Sequence, residues 1–254
     1  MPRVFPFGQC ATRRDPRRPD GPAELLVLGV YPSALHVQLR LPGGGPTFGA
    51  LAVDDEPEVF WDGADAQQRI ELRRRAVGWK DEWGSVGLAG GNGSSGRSVV
   101  DGILRPLGVA PGRTWFTDCL PYYFVKQGSG SQGDRIAEVY QPFAALHGLP
   151  PADIPPRPKP AKLVRRALAE ELDDLIRQFT EARAPRVVTL GQEAADVLTG
   201  LADTERVVLR ADASYGTPRP VTVGGTEVDW LPLTHPGNHT PVWNERHEEW
   251  TTDS

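Results

Sequence analysis

The chain has 254 residues and a formal net charge of −5, long enough for one large or two small domains with a real core. No apolar run approaches the length that spans a bilayer, and the opening MPRVFPFGQC lacks the charged-then-apolar pattern of a secretion signal, so a cytoplasmic location without a membrane partner is expected. Two cysteines, Cys10 and Cys119, are too few for a disulfide framework or a structural metal site, and the acidic balance argues against a global basic field for nucleic acid while leaving room for a local basic face.

Residues 1–22 carry Arg3, Arg13, Arg14, Arg17 and Arg18 among prolines. This reads as a flexible, solvated basic arm, with an electrostatic tether to phosphates as the sharper alternative. Leu25–Leu28 then runs into Gly29. The run is too short for a helix and is bounded by Gly29 and Pro32, which marks a buried strand ending in a tight turn, GVYPSA. In open α/β sheets the crevice beyond such strand ends is where ligands bind. HVQLRL and FGALAV alternate as a β excursion about a bend at Gly43–Gly45 and close in an acidic run, Asp54, Asp55, Glu56 and Glu58. Such a run is usually a solvated loop, although Phe60 and Trp61 beside it leave room for a general base. Residues 64–80 read as an exposed helix. Trp83–Arg97, rich in Gly and Ser, reads as a flexible loop whose amides can cradle a phosphate without matching a P-loop. A helix over Ser98–Leu107 follows, with Gly108 as its C-cap.

Thr114–Pro121, TWFTDCLP, repeats the pattern of a strand breaking at a polar residue and a proline, and Tyr122, Tyr123 and Phe124 follow it. Gln127–Gly133 is a polar loop, and PPADIPPRPKP, at 150–160, is a stiff connector. One long helix is expected through Leu163, Ala167, Leu172, Leu175 and Phe179, then the strand RVVTL into Gly191 and a further helix. This succession is α/β architecture. Pro220–Val223 and Thr226–Thr234 flank Gly224-Gly225 as a hairpin that delivers His235. Thr240-Pro241 opens a last helix to about Trp250. Four strand ends are thus expected to converge on one site.

Four stretches in this order resemble the uracil-DNA glycosylase superfamily, most closely its iron–sulfur-cluster branch: GVYPSA (29–34), SSGRSVVDGILRPLG (94–108), WFTDCLP (115–121), and APRVVTLGQEAADVL (184–198) with LTHPGNH (233–239). The resemblance covers most of residues 25–250. It implies a single domain over 23–254, a three-layer α/β/α sandwich with a central, mostly parallel four-stranded sheet, and a β-rich insertion at about 38–80. The implied activity is that of a monomeric DNA glycosylase-like hydrolase in base-excision repair. It would cleave the N-glycosidic bond of a flipped, deaminated or modified base in single- or double-stranded DNA. A catalytically inactive base-binding module and a small-molecule nucleoside hydrolase are the alternatives. The branch's cluster cysteines are missing, so no cluster, other cofactor or metal is expected.

The chemistry needs a pocket for the extruded base, a donor aimed at the leaving base, and a water or negative charge to meet the sugar cation. The resemblance places Gly29, Val30, Tyr31, Pro32 and Ser33 in the first motif, and Asp118 where the family carries a base-reading Asn, with Tyr122 near it. His235 is the expected donor, a satisfied structural histidine being the alternative. An ionised Asp accepts only, which suits an amino-bearing or otherwise modified base better than uracil, whereas a buried, protonated Asp can donate. Asp118 as a salt-bridged loop residue is the competing reading. Tyr31 cannot act as a carboxylate base. Either Asp54 or Asp55 supplies that role, or Ser33 and the backbone hold the water, or the protein is no glycosylase. Ser94, Ser95, Arg97, Pro236, Gly237, Asn238 and His239 are the expected DNA contacts.

Overall fold

The computed structural model describes residues 3–253 except 44, 46, 154, 211–213, 236, 238 and 239. In chain order its elements are β1 (Arg3–Val4), β2 (Cys10–Ala11), β3 (Leu25–Gly29), β4 (Ala34–Arg40), β5 (Thr47–Asp55), α1 (Ala66–Val77), β6 (Ser85–Leu88), α2 (Ser94–Val99), β7 (Thr114–Asp118), α3 (Gln132–Arg135), α4 (Gln141–His147), α5 (Pro160–Glu170), α6 (Leu172–Ala182), β8 (Arg186–Leu190), α7 (Gln192–Ala202), β9 (Arg219–Val223), β10 (Thr226–Leu233) and α8 (Pro241–Asp253).

The protein is mixed α/β, with a mostly parallel sheet in the order β7-β3-β8-β10-β9. It has five strands where four were expected. The fifth is β9, the first arm of the anticipated hairpin, which pairs antiparallel with β10 at the sheet edge. Pro220 is tolerated there because an edge strand leaves half its backbone groups outside the ladder. Alternate residues of β3 serve opposite faces. Leu26 and Leu28 join a core with Leu163, Ala167, Leu175 and Phe179, whereas Leu25 and Val27 pack with Val99, Ile103, Leu104 and Trp250. Two buried faces explain why these strands read as unbroken apolar runs. Among the described residues no helix is long and apolar enough to cross a membrane.

A separate antiparallel sheet, β5-β4-β6, has a core of its own and extends from Ala34 to Leu88, beyond both ends of the β-rich stretch expected at about 38–80. Its third strand corrects the expectation of a flexible loop after Trp83, because Ser85–Leu88 pairs with Val37–Arg40. The helix that follows begins at Ser94, four residues earlier than expected, where Gly96 lets its first turn press on the preceding chain. A Cβ on Gly96 would overlap the carbonyls of Phe60 and Trp61.

The single long helix expected before β8 is two helices. Glu171 leaves helical geometry at φ −123° and ψ 4°, and its carboxylate takes both arms of the Arg13 guanidinium at 3.0 and 2.7 Å. The apolar stripe continues across this break, so hydrophobic periodicity alone does not reveal it.

The amino-terminal segment is not a free arm. Phe5 and Phe7 are fully buried, and the Phe7 ring packs 4.9 Å from that of Trp79. Arg17 exchanges backbone hydrogen bonds with Phe116 at 2.9 Å, covering the open edge of β7. Arg13, Arg14, Arg17 and Arg18 each pair with a carboxylate of the fold: Glu171, Asp55, Glu58 and Glu181 respectively. Phe7→Ala is therefore expected to lower stability by about 3–5 kcal/mol, as emptying a buried aromatic site does. Urea unfolding measures it, and a loss below roughly 0.5 kcal/mol would show the segment to be detachable.

Candidate active site

The four parallel strands end at one cavity of about 630 Å³. β3 delivers Val30, Tyr31, Pro32 and Ser33; β7 delivers Asp118; β8 delivers Leu190 and Gly191, with Glu193 on the first turn of α7; and β10 delivers His235 and Gly237. The convergence follows from register. Gly29 lies opposite Asp118, and Leu28 opposite Thr189, so the strands run out together. A side chain on Gly29 would collide with the Asp118 carboxyl and come within 2.8 Å of the Phe60 ring.

Asp118 is 9 % exposed, and no hydrogen bond reaches its carboxyl from any described residue. Burial first, and then the nearby charge of Glu56, raises its pKa well above the carboxylate range. Glu56 follows β5 and is 3 % exposed. The Ser33 N–H donates to its Oε1 at 2.8 Å, and its own N–H returns to the Ser33 carbonyl at 3.3 Å. Burial pushes its pKa up to about 8 despite that backbone bond. His36, at the head of β4, also lines the cavity, and burial pulls its pKa down to about 4.

Aromatic rings close other sides. Phe60 has φ +55°, a conformation that costs a bulky residue energy and persists only where packing enforces it. Tyr31 meets Phe124 edge-on at 5.5 Å, and the Arg157 guanidinium lies 5.6 Å from the Tyr31 ring centroid. Burial raises the Tyr31 hydroxyl pKa, with Arg157 opposing it. Arg157 also pairs with Glu193 at 2.6 Å, which ties the proline-rich connector to α7.

His235 accepts the Gly237 N–H at Nδ1, at 3.0 Å. With Nδ1 used as an acceptor, the neutral ring carries its proton on Nε2 and is a donor there.

Of the residues singled out in the sequence, Val30, Tyr31, Pro32, Ser33, Ser95, Asp118, His235 and Gly237 line the cavity. Gly29 backs Asp118. Tyr122 is not among the lining residues, although Tyr123 and Phe124 are. Ser94 and Arg97 line a second cavity of about 530 Å³ that also touches His235, and the Arg97 guanidinium donates to the carbonyls of Asp62 and Asn92. Pro236, Asn238 and His239 lie outside the described residues. Asp54 and Asp55, expected as candidate bases, do not line the cavity. Asp54 is held by Arg73, and Asp55 accepts from Thr12 at 2.7 and 3.1 Å and from Arg14 at 3.3 Å. Glu56 stands in the cavity instead. The acidic run was the signal for it, but a register shift opposite Leu35 and His36 leaves Val53 without a partner, so alternation along β5 does not identify the inward carboxyl. Among the described residues no three His, Cys, Asp or Glu side chains are grouped to hold a metal ion.

Fold and site together define a mixed α/β protein with a cavity at the carboxyl ends of its parallel strands. No model of a known protein family matches the chain, and no curated protein matches it.

In the fold Glu56 keeps its proton up to about pH 8, whereas its ordinary value, expected in the unfolded chain, is 4.5. Between those values the folded state binds the extra proton, so this group's contribution to stability is lost as pH rises. Glu56→Gln keeps an acceptor for Ser33 and removes the titration. Its thermal midpoint relative to the parent is expected to be higher at pH 8.5 than at pH 5. A difference independent of pH would show Glu56 ionised in the fold.

Proposed function

We propose that the chain is a glycosylase-like hydrolase of the uracil-DNA glycosylase superfamily plan, a three-layer α/β/α sandwich, acting on a deaminated or modified base flipped out of DNA. The observation that carries this reading is the meeting, in one cavity, of the three resemblance stretches that end the parallel strands: the Gly29–Ala34 turn, Asp118, and Gly191 with His235. The volume of about 630 Å³ suits a base with its sugar. Buried faces on both sides of the sheet, packed with helices, support the three-layer plan.

In the proposed reaction the C1′–N bond breaks and its electron pair leaves with the base. The Nε2–H of His235 donates to the atom where that negative charge develops. The Glu193 carboxylate offsets the positive charge on the sugar, and a water held by the Val30–Ser33 turn adds hydroxide to C1′. The water's remaining proton ends on the base. Phe60 and Tyr31 offer rings for stacking once the base has left the duplex. Asp54 and Asp55 take no part, since each is bonded elsewhere.

One observation favours a second reading, hydrolysis of a free nucleoside. Arg13, Arg14, Arg17 and Arg18 are spent on internal ion pairs, which leaves them no role as a phosphate tether.

The test incubates the protein with single- and double-stranded oligonucleotides carrying uracil, hypoxanthine, xanthine or modified cytosines, and with the corresponding nucleosides. Alkali then cleaves abasic sites in the DNA. Base release from DNA that falls about 10²–10³-fold in His235→Ala is the expected result. Release from nucleosides alone would select the second reading. Salt-dependent binding to DNA with no release from any substrate would leave a base-binding module, and neither binding nor release would overturn the proposal.

A further inference from the structure

Resting on the reading of this cavity as the pocket for a base with its sugar, we propose that Lys126 and Arg157 form a subsite in it for a phosphate ester carried by that same ligand. The substrate is thereby narrowed from a nucleoside unit to a phosphorylated one. The cations that hold it lie in the loop after β7 and in the proline-rich connector, not in the amino-terminal segment.

Backbone pairing brings the two cations together. The Val125 N–H donates to the Pro155 carbonyl at 3.0 Å, and the Val125 carbonyl accepts from the Arg157 N–H at 2.7 Å. Val125 and Pro156 are thus partners in a parallel bridge, and the next step in register sets Lys126 beside Arg157. Residues in register on parallel segments carry their side chains on the same side, with backbones about 4.8 Å apart. Val125, one position earlier, faces the opposite way and is buried in the core of the antiparallel unit. Lys126 and Arg157 both line the cavity. The Lys126 carbonyl also accepts the Gly133 N–H at 3.0 Å, so the loop is anchored on both sides of this residue.

Charge makes the pair a site. Like charges side by side on neighbouring segments repel, and an anion between them relieves that cost. Among the described residues Lys126 forms no ion pair. Arg157 spends one Nη2 bond on Oε1 of Glu193 at 2.6 Å, and its side chain is still 27 % exposed, so the guanidinium keeps donors that a ligand can reach. Burial keeps Asp118 and Glu56 protonated near neutral pH, which leaves the Glu193 carboxylate as the acid of the lining that opposes the cations. Two cations against one carboxylate leave one positive charge. That matches a phosphodiester or a singly ionised phosphomonoester. Phosphate oxygens also suit both groups, the guanidinium as a planar fork and the ammonium as a point charge.

Calorimetric binding of ligands that differ only in phosphate tests the proposal without turnover. The pairs are deoxyribose against deoxyribose 5-phosphate, and deoxyuridine and deoxycytidine against their 5′- and 3′-monophosphates. Dinucleoside monophosphates of the same bases supply a diester. His235→Ala is the background for every ligand with a base, so that none is hydrolysed. At least one phosphate-bearing ligand is expected to bind about tenfold tighter or more than its phosphate-free partner. Preference for the monoester identifies a free nucleotide as the source, preference for the diester a DNA strand, and either supports the subsite. Lys126→Gln, at an exposed side chain, and Arg157→Gln, whose folding is checked by thermal unfolding, are each expected to reduce the preference below about threefold. Lys159→Gln removes an exposed cation two residues beyond Arg157 that does not line the cavity, and is expected to leave the preference unchanged. Equal binding within every pair overturns the proposal and leaves the base pocket standing. A preference that survives both cavity substitutions, or that falls as far in Lys159→Gln, overturns the assignment to Lys126 and Arg157. A phosphate preference in the sugar pair with no binding of any nucleoside supports the subsite and removes the base pocket. Binding of no ligand overturns both.

Discussion

The site depends on one steric constraint, the absence of a side chain at Gly29. Parallel pairing sets this residue beside Asp118, and the space a Cβ would need is filled by the Asp118 carboxyl and the Phe60 ring. With no side chain at the end of β3, the acid that ends the neighbouring β7 and the Phe60 ring that follows β5 meet at the cavity. Phe60 reaches that place at φ +55°, so its backbone energy is offset by packing in the same locus. The turn that follows Gly29 then carries Ser33 to Glu56. Glycine, acid, aromatic and second acid are one contact network, and it joins the parallel sheet to the antiparallel unit.

The amino-terminal segment shows how charge is used in this protein. Its arginines suggest an outward-facing basic surface, yet they stitch the fold together. Arg13 anchors the break between α5 and α6, Arg14 pairs with the buried Asp55, and the Arg17 and Arg18 guanidiniums lie over Phe116 and Trp115. The backbone of Arg17 also completes the edge of β7. Cations placed on buried acids are worth more than cations in water, because the acid would otherwise be desolvated without a partner. Asp54 and Asp55 have such cations, whereas no cation pairs with Asp118 or Glu56 among the described residues. Neighbouring carboxyls on one loop thus divide into structural and cavity-facing groups.

What the sequence made legible followed from local physics. Short apolar runs closed by Gly or Pro gave the parallel strands and their common end, and the four expected strand termini do meet. The Gly-Gly hairpin and the Thr-Pro start of the last helix were equally local. Other features needed information from far along the chain. The break at Glu171 is met by Arg13, which lies 158 residues away. The strand Ser85–Leu88 forms because β4 offers it an edge, against the weak preference of a glycine-rich segment. Phe5 and Phe7 lie among prolines and arginines, so nothing local marks them as core. Choosing Glu56 over Asp54 and Asp55 required the bulge at Val53, which a count of alternating residues cannot contain.

The polarity of the cavity ties these strands of argument together. A ligand with an acceptor at one end and donors at the other needs both a donor and acceptors in the cavity that holds it. A lining of one sign would serve one end and repel the other. Here the donor and the acceptors come from different strand ends. His235 accepts the Gly237 amide at Nδ1, and among the described residues no ion pair forms to Asp118 or Glu56, whereas Asp54 and Asp55 are paired. Because β10 and β7 are separated by β3 and β8, the sheet itself holds donor and acceptor apart. Three steps of about 4.8 Å lie between β7 and β10, so their backbones stand roughly 14 Å apart. A ligand that reaches both ends meets different chemistry at each, and one that touches a single end meets only half of it.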